Sequence, residues 1–438
     1  MIVLHRAGWR GAARFFITYM SKIAEEIWSF DNLYAAYLEV ARGKREKKEF
    51  QRFNLNLEEN LICMQNDLIW RTYKSSPTVS FIVREPKKRV ITRPQIYDRV
   101  IHHALIRVVQ PIFEKRFHDL SFACRPGKEM ITARAVFPDG KYFIQTYYAS
   151  KQEQYHWPKD LKIAEAKRFV ADDMKKRFPD ACSVSTAHAE GKGQLAACKH
   201  YQGMLRSALG RYPDGFVVLS LDIKSFFASI DHDVLKRLII RLFPDDGFVQ
   251  WLFGCIIDAV DEGLPIGFLP SQHEANLMGT VIDYFVTDVL HCHYYVRYMD
   301  DVRILCASRE EAKEYLAAID ELCWIKLHLR LSEKKSTICT FHQYDLFCGY
   351  KVHPHYLEPK EATLKRGHRR LEKKLIMLQE GLITPDHLRS SALSLATYLS
   401  NTSAPTDPVV VKCLQALQKV ENLKGNNQAR NIEYRYDG

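Results

Sequence analysis

Two adjacent carboxylates interrupt an apolar segment, His293-Tyr294-Tyr295-Val296-Arg297-Tyr298-Met299-Asp300-Asp301-Val302-Arg303-Ile304-Leu305-Cys306. The flanking residues are mainly β-branched or aromatic, which predicts a strand, a tight turn and a second strand. Two like charges side by side in a half-buried turn are unfavourable unless a cation lies between them and a ligand. Asp300 and Asp301 therefore suit a divalent-metal site for phosphoryl transfer if a third carboxylate lies nearby. A polar β-turn that binds nothing is the alternative.

A candidate third carboxylate ends the apolar run Phe216-Val217-Val218-Leu219-Ser220-Leu221-Asp222. This run predicts a buried strand with a carboxylate at its exit. If the strand lies beside the hairpin, Asp222, Asp300 and Asp301 meet at one edge of a sheet. Two-metal phosphoryl transfer uses carboxylates in that arrangement. Asp231 and Asp233 open the next helix, and we assign them to helix capping rather than to metal binding.

Composition limits the class of protein. The 438 residues suggest about two to four domains or lobes, and the 47% hydrophobic content indicates a globular chain. A net charge of +11 suits a polyanionic partner, with simple solubility as the alternative. The 11 cysteines include no C-x-x-C pair, which argues against zinc and disulfides and for a reducing compartment. No apolar run reaches the length of a membrane span, so we expect no membrane partner.

The N-terminal part is predicted to be helical. Residues 1–19 lack the continuous apolar core of a signal peptide, so we treat them as an N-terminal extension, either an amphipathic helix or residues upstream of a true start at Met20. Residues 20–128 would hold helices and a hairpin over 79–93, with Pro86-Lys87-Lys88 in its turn. Cations at a hairpin tip suit contacts with phosphates, or else protect an exposed edge. A helix is expected from Tyr97 to Phe117; its adjacent His102 and His103 point apart, which disfavours a metal site.

The remaining boundaries follow shifts in composition. Residues 129–190 are predicted to be an inserted subdomain of unknown role, with a strand over 141–149 and a basic helix over 161–178. Its aromatic residues would form a small core or stack on RNA. Residues 191–355 would form the catalytic core, with a helix over 194–209, a glycine-containing loop over 263–272, a helix over 310–331 and one short strand with a tight glycine over 347–352. Residues 356–424 would be helical, and residues 425–438 a flexible tail.

The first helix of that C-terminal region is basic on one face and apolar on the other. A positive helix face suits contacts along a nucleic-acid backbone, and a solvated surface is the alternative. The basic residues are Lys360, Lys365, Arg366, Arg369, Arg370, Lys373 and Lys374.

These motifs, in this order, resemble the reverse transcriptases of bacterial retroelements, which are related to group II intron enzymes. The resemblance covers about residues 20–400 apart from the insertion. Tyr298 to Asp301 is similar to the family's Tyr-x-Asp-Asp box, and Asp222 to Phe227 to its first palm motif. The resemblance implies an α+β right-hand polymerase with fingers, a palm built on an antiparallel sheet, and a helical basic thumb. It also implies an RNA-directed DNA polymerase located in the cytoplasm and encoded by a bacterium or a phage.

The resemblance further implies roles for individual residues. Asp222, Asp300 and Asp301, with the Ile223 carbonyl, would hold two Mg²⁺ ions, for which Mn²⁺ could substitute. Lys335 matches a lysine proposed to protonate pyrophosphate, and Phe227 falls at the steric gate that excludes a ribose 2′-hydroxyl. Lys87, Arg89, Ile266, Gly267 and Gln272 would contact the incoming dNTP, and Phe347, Gly349 and Tyr350 would grip the primer end. Template RNA and the RNA/DNA duplex would be partners, the latter held by the basic helix.

The loop Ile266-Gly267-Phe268-Leu269-Pro270-Ser271-Gln272 departs from the family's usual Gln-Gly-x-x-x-Ser-Pro. An aliphatic residue in place of the first Gln resembles the diversity-generating retroelement branch, whose enzymes copy RNA with errors at adenine and can work with a small basic accessory protein. Losing an amide that contacts the nucleotide would weaken discrimination between correct and incorrect pairs. A phage-defence enzyme with untemplated or protein-primed synthesis, a non-catalytic RNA-binding or splicing cofactor, and a metal-dependent nuclease are the rival functions.

Overall fold

The computed structural model describes residues 21–84, 88–125, 130–136, 142–148, 163–177, 179–180, 183–189, 192–403 and 407–418. The chain divides into two compact units. The first unit comprises Met1–Arg125, Leu219–Arg303 and Glu310–Thr337. The second comprises Pro126–Val218, Ile304–Arg309 and Ile338–Gly438. Predictions for residues 1–20, for the hairpin turn at 85–87 and for the tail beyond 418 lie outside the described residues.

The first unit begins with helices α1 (Lys22–Trp28), α2 (Phe30–Ala41), α3 (Lys48–Asn54) and α4 (Leu57–Ile69). Serine side chains cap the first two: Ser21 accepts from the amide of Ala24 at 3.0 Å, and Ser29 from that of Asn32 at 3.2 Å. The apolar faces that the periodicity predicts are buried, as at Leu33 and Leu61. These helices thus form the first hydrophobic layer of the unit.

A two-stranded hairpin follows, with β1 (Val79–Val83) paired antiparallel to β2 (Arg89–Arg93). Its side chains are largely exposed, including Phe81 and Ile82. Helix α5 (Ile96–Arg116) comes next and buries Val100, Ile101 and Leu105. The hairpin and the long helix match the elements predicted for this part of the chain.

The central sheet has the strand order β7–β8–β6–β9. Its strands are β6 (Val217–Asp222), β7 (Tyr295–Tyr298), β8 (Asp301–Cys306) and β9 (Thr337–Thr340). The helices between these strands in sequence are α8 (His232–Leu242), α9 (Gly247–Ile257), α10 (Leu269–Tyr284) and α11 (Arg309–Leu327). Asp231 is the N-cap of α8, since its carboxylate accepts from the amide of Val234 at 2.9 Å, as the sequence predicted.

Two predicted boundaries in this unit are wrong. Helix α10 begins at Leu269, so Pro270 to Gln272 form its first turn rather than a loop; proline is favoured there because its missing N–H needs no partner. Helix α11 ends at Leu327 rather than at Leu331. His328 adopts a left-handed conformation with φ of 55°, which ends the helix, and Leu331 then bridges to Ile223.

The second unit contains a separate three-stranded antiparallel sheet in the order β4–β3–β5. Its strands are β3 (Met130–Val136), β4 (Tyr142–Tyr148) and β5 (Ser183–Ala189), with α6 (Ile163–Arg177) between the last two in sequence. These elements fall within the segment predicted to be inserted. Helix α7 (Gln194–Arg211) follows.

The rest of the second unit is a small sheet followed by helices. The sheet contains β10 (Asp345–Phe347), β11 (Tyr350–Val352) and β12 (Leu357–Pro359). The single strand predicted over 347–352 is therefore wrong: Cys348 and Gly349, with φ of 47° and 80°, form a tight turn between two strands. Helices α12 (Glu361–Gln379) and α13 (Pro385–Ser400) and a helical segment over 408–418 share an apolar core that includes Leu371, Leu388 and Cys413.

Candidate active site

The sheet order places the predicted carboxylates at one end of neighbouring strands. Asp222 is the last residue of β6, and Asp301 is the first residue of β8, which lies next to β6. Asp300 occupies the turn between β7 and β8. The preceding residue, Met299, has a positive φ of 57°, which a non-glycine side chain adopts only at some energetic cost. The turn therefore needs support from the surrounding structure.

The electrostatic environment of Asp300 reflects its neighbours. Burial raises the pKa of this carboxyl above its usual value, and the nearby charge of Asp222 raises it further. Hydrogen bonding to its own backbone, Lys335 and Arg89 act in the opposite direction. Two carboxylates thus interact at this edge, and a cation near them would stabilise both in the ionised form.

Asp222 is held by the segment 330–336. Its carboxylate accepts a hydrogen bond from Lys335 Nζ at 2.6 Å, and its carbonyl accepts from the amide of Ser332 at 2.8 Å. The amide of Lys224 donates to the carbonyl of Arg330 at 2.9 Å. Lys335, which the resemblance assigned to proton transfer, therefore lies directly against the Asp222 carboxylate. Ile223, the predicted carbonyl ligand, lies between the two anchored residues.

Asp301 has a different partner, which the sequence interpretation missed. Arg303, two residues further along β8, donates from Nη1 to Oδ1 of Asp301 and to the carbonyl of Val302 at 2.9 Å. Residues two apart in a strand lie on the same face, which brings the two side chains together. A charged residue inside an otherwise apolar strand was the available signal, since such a charge requires a partner.

Within the described residues, no group of three or more Asp, Glu, His or Cys side chains is arranged to hold a metal ion. Asp222 and Asp301 are instead each paired to a cationic side chain. The donor set nevertheless suits a hard divalent cation, because Mg²⁺ is bound through carboxylate oxygens. The raising effect of the Asp222 charge on the pKa of Asp300 is a further observation that suits a cation here.

The hairpin rests on a buried ion pair. Arg297 on β7 and Asp283 on α10 are both fully buried, and Nε and Nη2 of the guanidinium donate to the two carboxylate oxygens at 2.6 and 2.7 Å. Tyr295 also donates to Asp283, at 2.5 Å. Burial alone would lower the pKa of Arg297, but the charge of Asp283 outweighs it and the pKa is raised. Arg297 therefore stays charged beneath the turn.

Arg297 connects this ion pair to the turn itself. Its Nη1 donates to the carbonyl of Met299 at 3.0 Å, and its Nη2 donates to Ser121 Oγ at 2.9 Å. Gly279 leaves room for the guanidinium, since a Cβ at that position would lie 2.3 Å from Nη1 of Arg297. The sequence interpretation missed Gly279, Asp283 and Arg297, although an aspartate amid the apolar residues of α10 is a recognisable signal of a buried partner.

The predicted nucleotide contacts lie in the same unit. Phe227 is partly exposed, and its carbonyl accepts from the amide of Leu264 at 2.6 Å. The carbonyl of Ile266 accepts from the amide of Thr92 on β2 at 2.9 Å. Gly267 has a φ of 133°, and a Cβ there would lie 2.4 Å from the Thr92 carbonyl oxygen, so only glycine fits.

The remaining predicted contacts are less tightly fixed. Arg89 is exposed at the start of β2 and close enough to influence the pKa of Asp300. Gln272 is exposed in the first turn of α10. Lys87 lies outside the described residues. The structure thus ties the loop of Ile266 and Gly267 to the hairpin strand that carries Arg89.

The predicted primer-grip residues form the β10–β11 hairpin of the second unit. Phe347 and Tyr350 are buried, so their rings anchor the hairpin and the turn presents backbone atoms. Tyr398 stacks on Tyr350 at 4.7 Å and donates to the carbonyl of Gly349 at 2.8 Å. Gln194, at the start of α7, donates to the carbonyl of Cys348. The turn is therefore fixed from both sides.

The basic residues of α12, the helix predicted to contact nucleic acid, differ in their exposure and in their partners. Arg369, Arg370 and Lys373 are exposed. Lys365 pairs with Glu361 at 2.7 Å on the surface, and Arg366 donates to Thr363. Lys374 is directed to α13, where it donates to the carbonyl of His387 at 2.9 Å and to Ser391 at 2.6 Å. Its ammonium group thus joins two helices, and its contact with a nucleic-acid backbone stays a prediction.

One known family matches the segment of the chain that contains the candidate active site. Residues 206–363 match the family described as reverse transcriptase (RNA-dependent DNA polymerase). This range includes Asp222, the hairpin of Asp300 and Asp301, and Lys335. This segment therefore matches the reverse transcriptase family, and the predicted α+β right-hand polymerase fold class is confirmed.

More specific similarities are limited in extent. The mitochondrial protein nuclear intron maturase 2 of Arabidopsis thaliana is 28% identical over 94 residues, which cover 18% of this chain and 13% of that protein. Apo telomerase from Candida tropicalis aligns with 80% of this chain and 59% of its own at 9% identity and a TM-score of 0.38. Telomerase from Candida albicans, in complex with a fragment of telomeric RNA, aligns with 84% and 63% at 10% identity and a TM-score of 0.34. The class assignment rests on residues 206–363.

No helix in the described part of the chain is long and apolar enough to cross a membrane. The cysteines described there form no disulfides, including the buried Cys198 and Cys413.

Proposed function

We propose that this protein is an RNA-directed DNA polymerase that copies a template RNA into cDNA. The observation that carries the proposal is the meeting of Asp222 with Asp300, where burial and the neighbouring carboxylate both raise the pKa of Asp300. A fold has no structural need for such an unfavourable pair, and a cation or substrate would stabilise it. The reverse transcriptase match over residues 206–363 supports the same activity.

Two Mg²⁺ ions, or Mn²⁺ in their place, would be held by Asp222, Asp300, Asp301 and the Ile223 carbonyl. When bound, such ions supply a Lewis acid that favours ionisation of a 3′-hydroxyl and offsets the charge of leaving pyrophosphate. Lys335 is the residue that would donate a proton to that pyrophosphate, since its Nζ already lies 2.6 Å from Asp222.

The incoming dNTP would be positioned by residues of the same unit. Arg89 and Lys87 are the cations that would contact its phosphates, and Phe227 would exclude a 2′-hydroxyl. Gly267 would allow close approach of the backbone, and Gln272 offers an amide nearby. Template RNA and the RNA/DNA duplex would contact the exposed Arg369, Arg370 and Lys373.

An error-prone enzyme of the diversity-generating branch is the finer proposal. It is supported by Ile266, which stands where most reverse transcriptases carry an amide and whose backbone is fixed to β2. Ile266→Gln should reduce misincorporation opposite template adenine, as counted by sequencing cDNA copied from one defined RNA. An unchanged error spectrum would remove the support for this branch, and with it the expectation of a small basic accessory protein.

A non-catalytic RNA-binding role is the second candidate, supported by the similarity to an intron maturase. A phage-defence enzyme with untemplated or protein-primed synthesis shares the catalytic residues and differs in its products. Sequencing the product separates templated from untemplated DNA, and mass spectrometry of the purified protein detects DNA attached to a tyrosine.

The deciding experiment is primer extension on an RNA template with the full chain and its Asp300→Ala, Asp301→Ala double variant. We expect the wild type to incorporate dNTPs and the double variant to lose incorporation while RNA binding is largely retained. Full incorporation by the double variant would contradict the proposed site. Tight RNA binding without incorporation by the wild type would favour the non-catalytic role.

A further inference from the structure

Arg303 is a buried cation at the proposed metal site that the polymerase mechanism does not use. It interrupts the apolar strand Val302-Arg303-Ile304-Leu305-Cys306, and only 9% of its side chain is exposed. Removing a guanidinium from water is unfavourable unless its charge and its N–H groups find partners. Asp301 supplies the charge partner, and the carbonyl of Val302 accepts a further hydrogen bond at 2.9 Å.

Lys335 pairs with Asp222 in a different way. The Lys335 side chain is 54% exposed, whereas that of Arg303 is 9% exposed. An ammonium group on a flexible, exposed stem can leave its partner at little cost, because water replaces the contact. A buried guanidinium that leaves its carboxylate becomes an unpaired charge in a poorly solvated place. The two ion pairs therefore differ in how readily a metal ion can displace the cation.

We propose that Arg303 is a positioning residue that keeps part of the charge of Asp301 for itself and so lowers the affinity of the site for divalent cations. This inference rests on the proposed function. Asp222 and Asp300 then contribute most of the binding, and Asp301, whose charge Arg303 partly neutralises, contributes less. The two hairpin carboxylates therefore contribute unequally to metal binding, although they are adjacent in sequence.

The test measures Mn²⁺ binding to the full chain without nucleic acid, by electron paramagnetic resonance of the free ion. Arg303→Met removes the charge and keeps an unbranched side chain. We expect its Mn²⁺ affinity to rise roughly tenfold, because a cation in contact with the ligand oxygen no longer competes. Lys224→Met is the matched control, which removes an exposed cation from the same end of β6, and should change the affinity less than about threefold.

A second pair of variants keeps the Arg303 side chain in place and changes each hairpin carboxylate in turn. Asp300→Asn should weaken Mn²⁺ binding by roughly tenfold or more, and Asp301→Asn by less than about threefold, because Arg303 already occupies Asp301. Equal losses in the two variants, or an unchanged affinity in Arg303→Met, would overturn the proposal. So would the absence of measurable Mn²⁺ binding in every variant. A failure of dNTP incorporation is a separate result, which concerns the proposed function.

Discussion

The guanidinium of Arg297 donates a hydrogen bond to the carbonyl oxygen of Met299 at 3.0 Å. Met299 is the residue with positive φ that leads into Asp300 and Asp301. Because Arg297 is itself held by the buried carboxylate of Asp283, the position of the turn that carries Asp300 depends on a buried ion pair. Strained backbone persists only where surrounding contacts hold it, and this pair provides them.

Replacing Asp283 with Asn should therefore destabilise the protein strongly. The substitution leaves a buried guanidinium without its countercharge, which lowers the free energy of unfolding by about 3–5 kcal/mol. Chemical denaturation of the two proteins measures this difference. Asp288→Asn is the control, since Asp288 is exposed a few residues further on and should change the value by no more than about 0.5 kcal/mol. Equal effects of the two substitutions would contradict the role of the buried pair.

Replacing Tyr398 with Phe should loosen the turn of the β10–β11 hairpin. The ring keeps its stacking on Tyr350, but the hydroxyl no longer donates to the Gly349 carbonyl or accepts from the Lys360 amide. We expect a loss of about 1–3 kcal/mol in unfolding free energy and weaker primer–template binding. Tyr344→Phe, which removes an exposed hydroxyl, should leave both unchanged. Unaltered stability and binding in the Tyr398 variant would refute this anchoring role.

Glu274 makes the stability of the fold dependent on pH. The carboxyl lies fully buried on α10, neither oxygen has a hydrogen-bond partner within the described residues, and burial raises its pKa to about 8. The folded protein therefore keeps the Glu274 carboxyl protonated at pH values where the unfolded chain, with the usual pKa of 4.5, has released the proton. The contribution of Glu274 to the free energy of unfolding is complete below pH 4.5 and is lost as the pH rises through about 8.

Glu274→Gln should remove this dependence. Between pH 5 and 8 the stability of the wild type relative to the variant should fall by about 1.4 kcal/mol per pH unit, because one proton separates the folded from the unfolded state. Buried histidines such as His102 contribute equally to both proteins and cancel in the comparison. Denaturation curves at several pH values give the slope, and parallel profiles for the two proteins would show that Glu274 is ionised in the fold.

Phe227→Ala should admit ribonucleotides. The Phe227 backbone is fixed by Leu264, so the substitution removes the ring without moving the chain. The ratio of rNTP to dNTP incorporation should rise by roughly 10- to 200-fold, the range expected when a steric contact in a pocket is lost. Single-nucleotide extension with matched rNTP and dNTP measures that ratio. An unchanged ratio would show that another residue excludes the 2′-hydroxyl.

The sequence predicted those features that depend on local pattern. Asp222 ends an apolar run, and Asp300 follows a strand whose side chains alternate between two faces. The proximity of the two carboxylates followed from the prediction that the strands are neighbours in one sheet. The partners of Arg297 and Arg303 could not be predicted in the same way. Asp283 lies on a helix and Arg297 on a strand, and only tertiary packing joins them, with Gly279 leaving the space.

Element ends also depended on tertiary contacts. The apolar periodicity of α11 continues to Leu331, but His328 turns the chain so that Leu331 can bridge to Ile223. The tight glycine at Gly349 was recognised from the sequence, but it was placed within one strand because the strands on either side are very short. Both errors lie next to predicted site residues, where the chain departs from its local preference to support Asp222 and the primer-grip turn.

The most direct test of the account is RNA-templated incorporation of a labelled dNTP by the full chain with Mg²⁺, compared with its Asp222→Asn variant. Asp233→Asn, an exposed aspartate in the first turn of α8, is the matched control. We expect template-matched DNA from the wild type and the control and at least a hundredfold less from Asp222→Asn, roughly the loss when a charge-stabilising catalytic group is removed. Equal incorporation by all three proteins would contradict the claim that Asp222 and the hairpin carboxylates form one catalytic site.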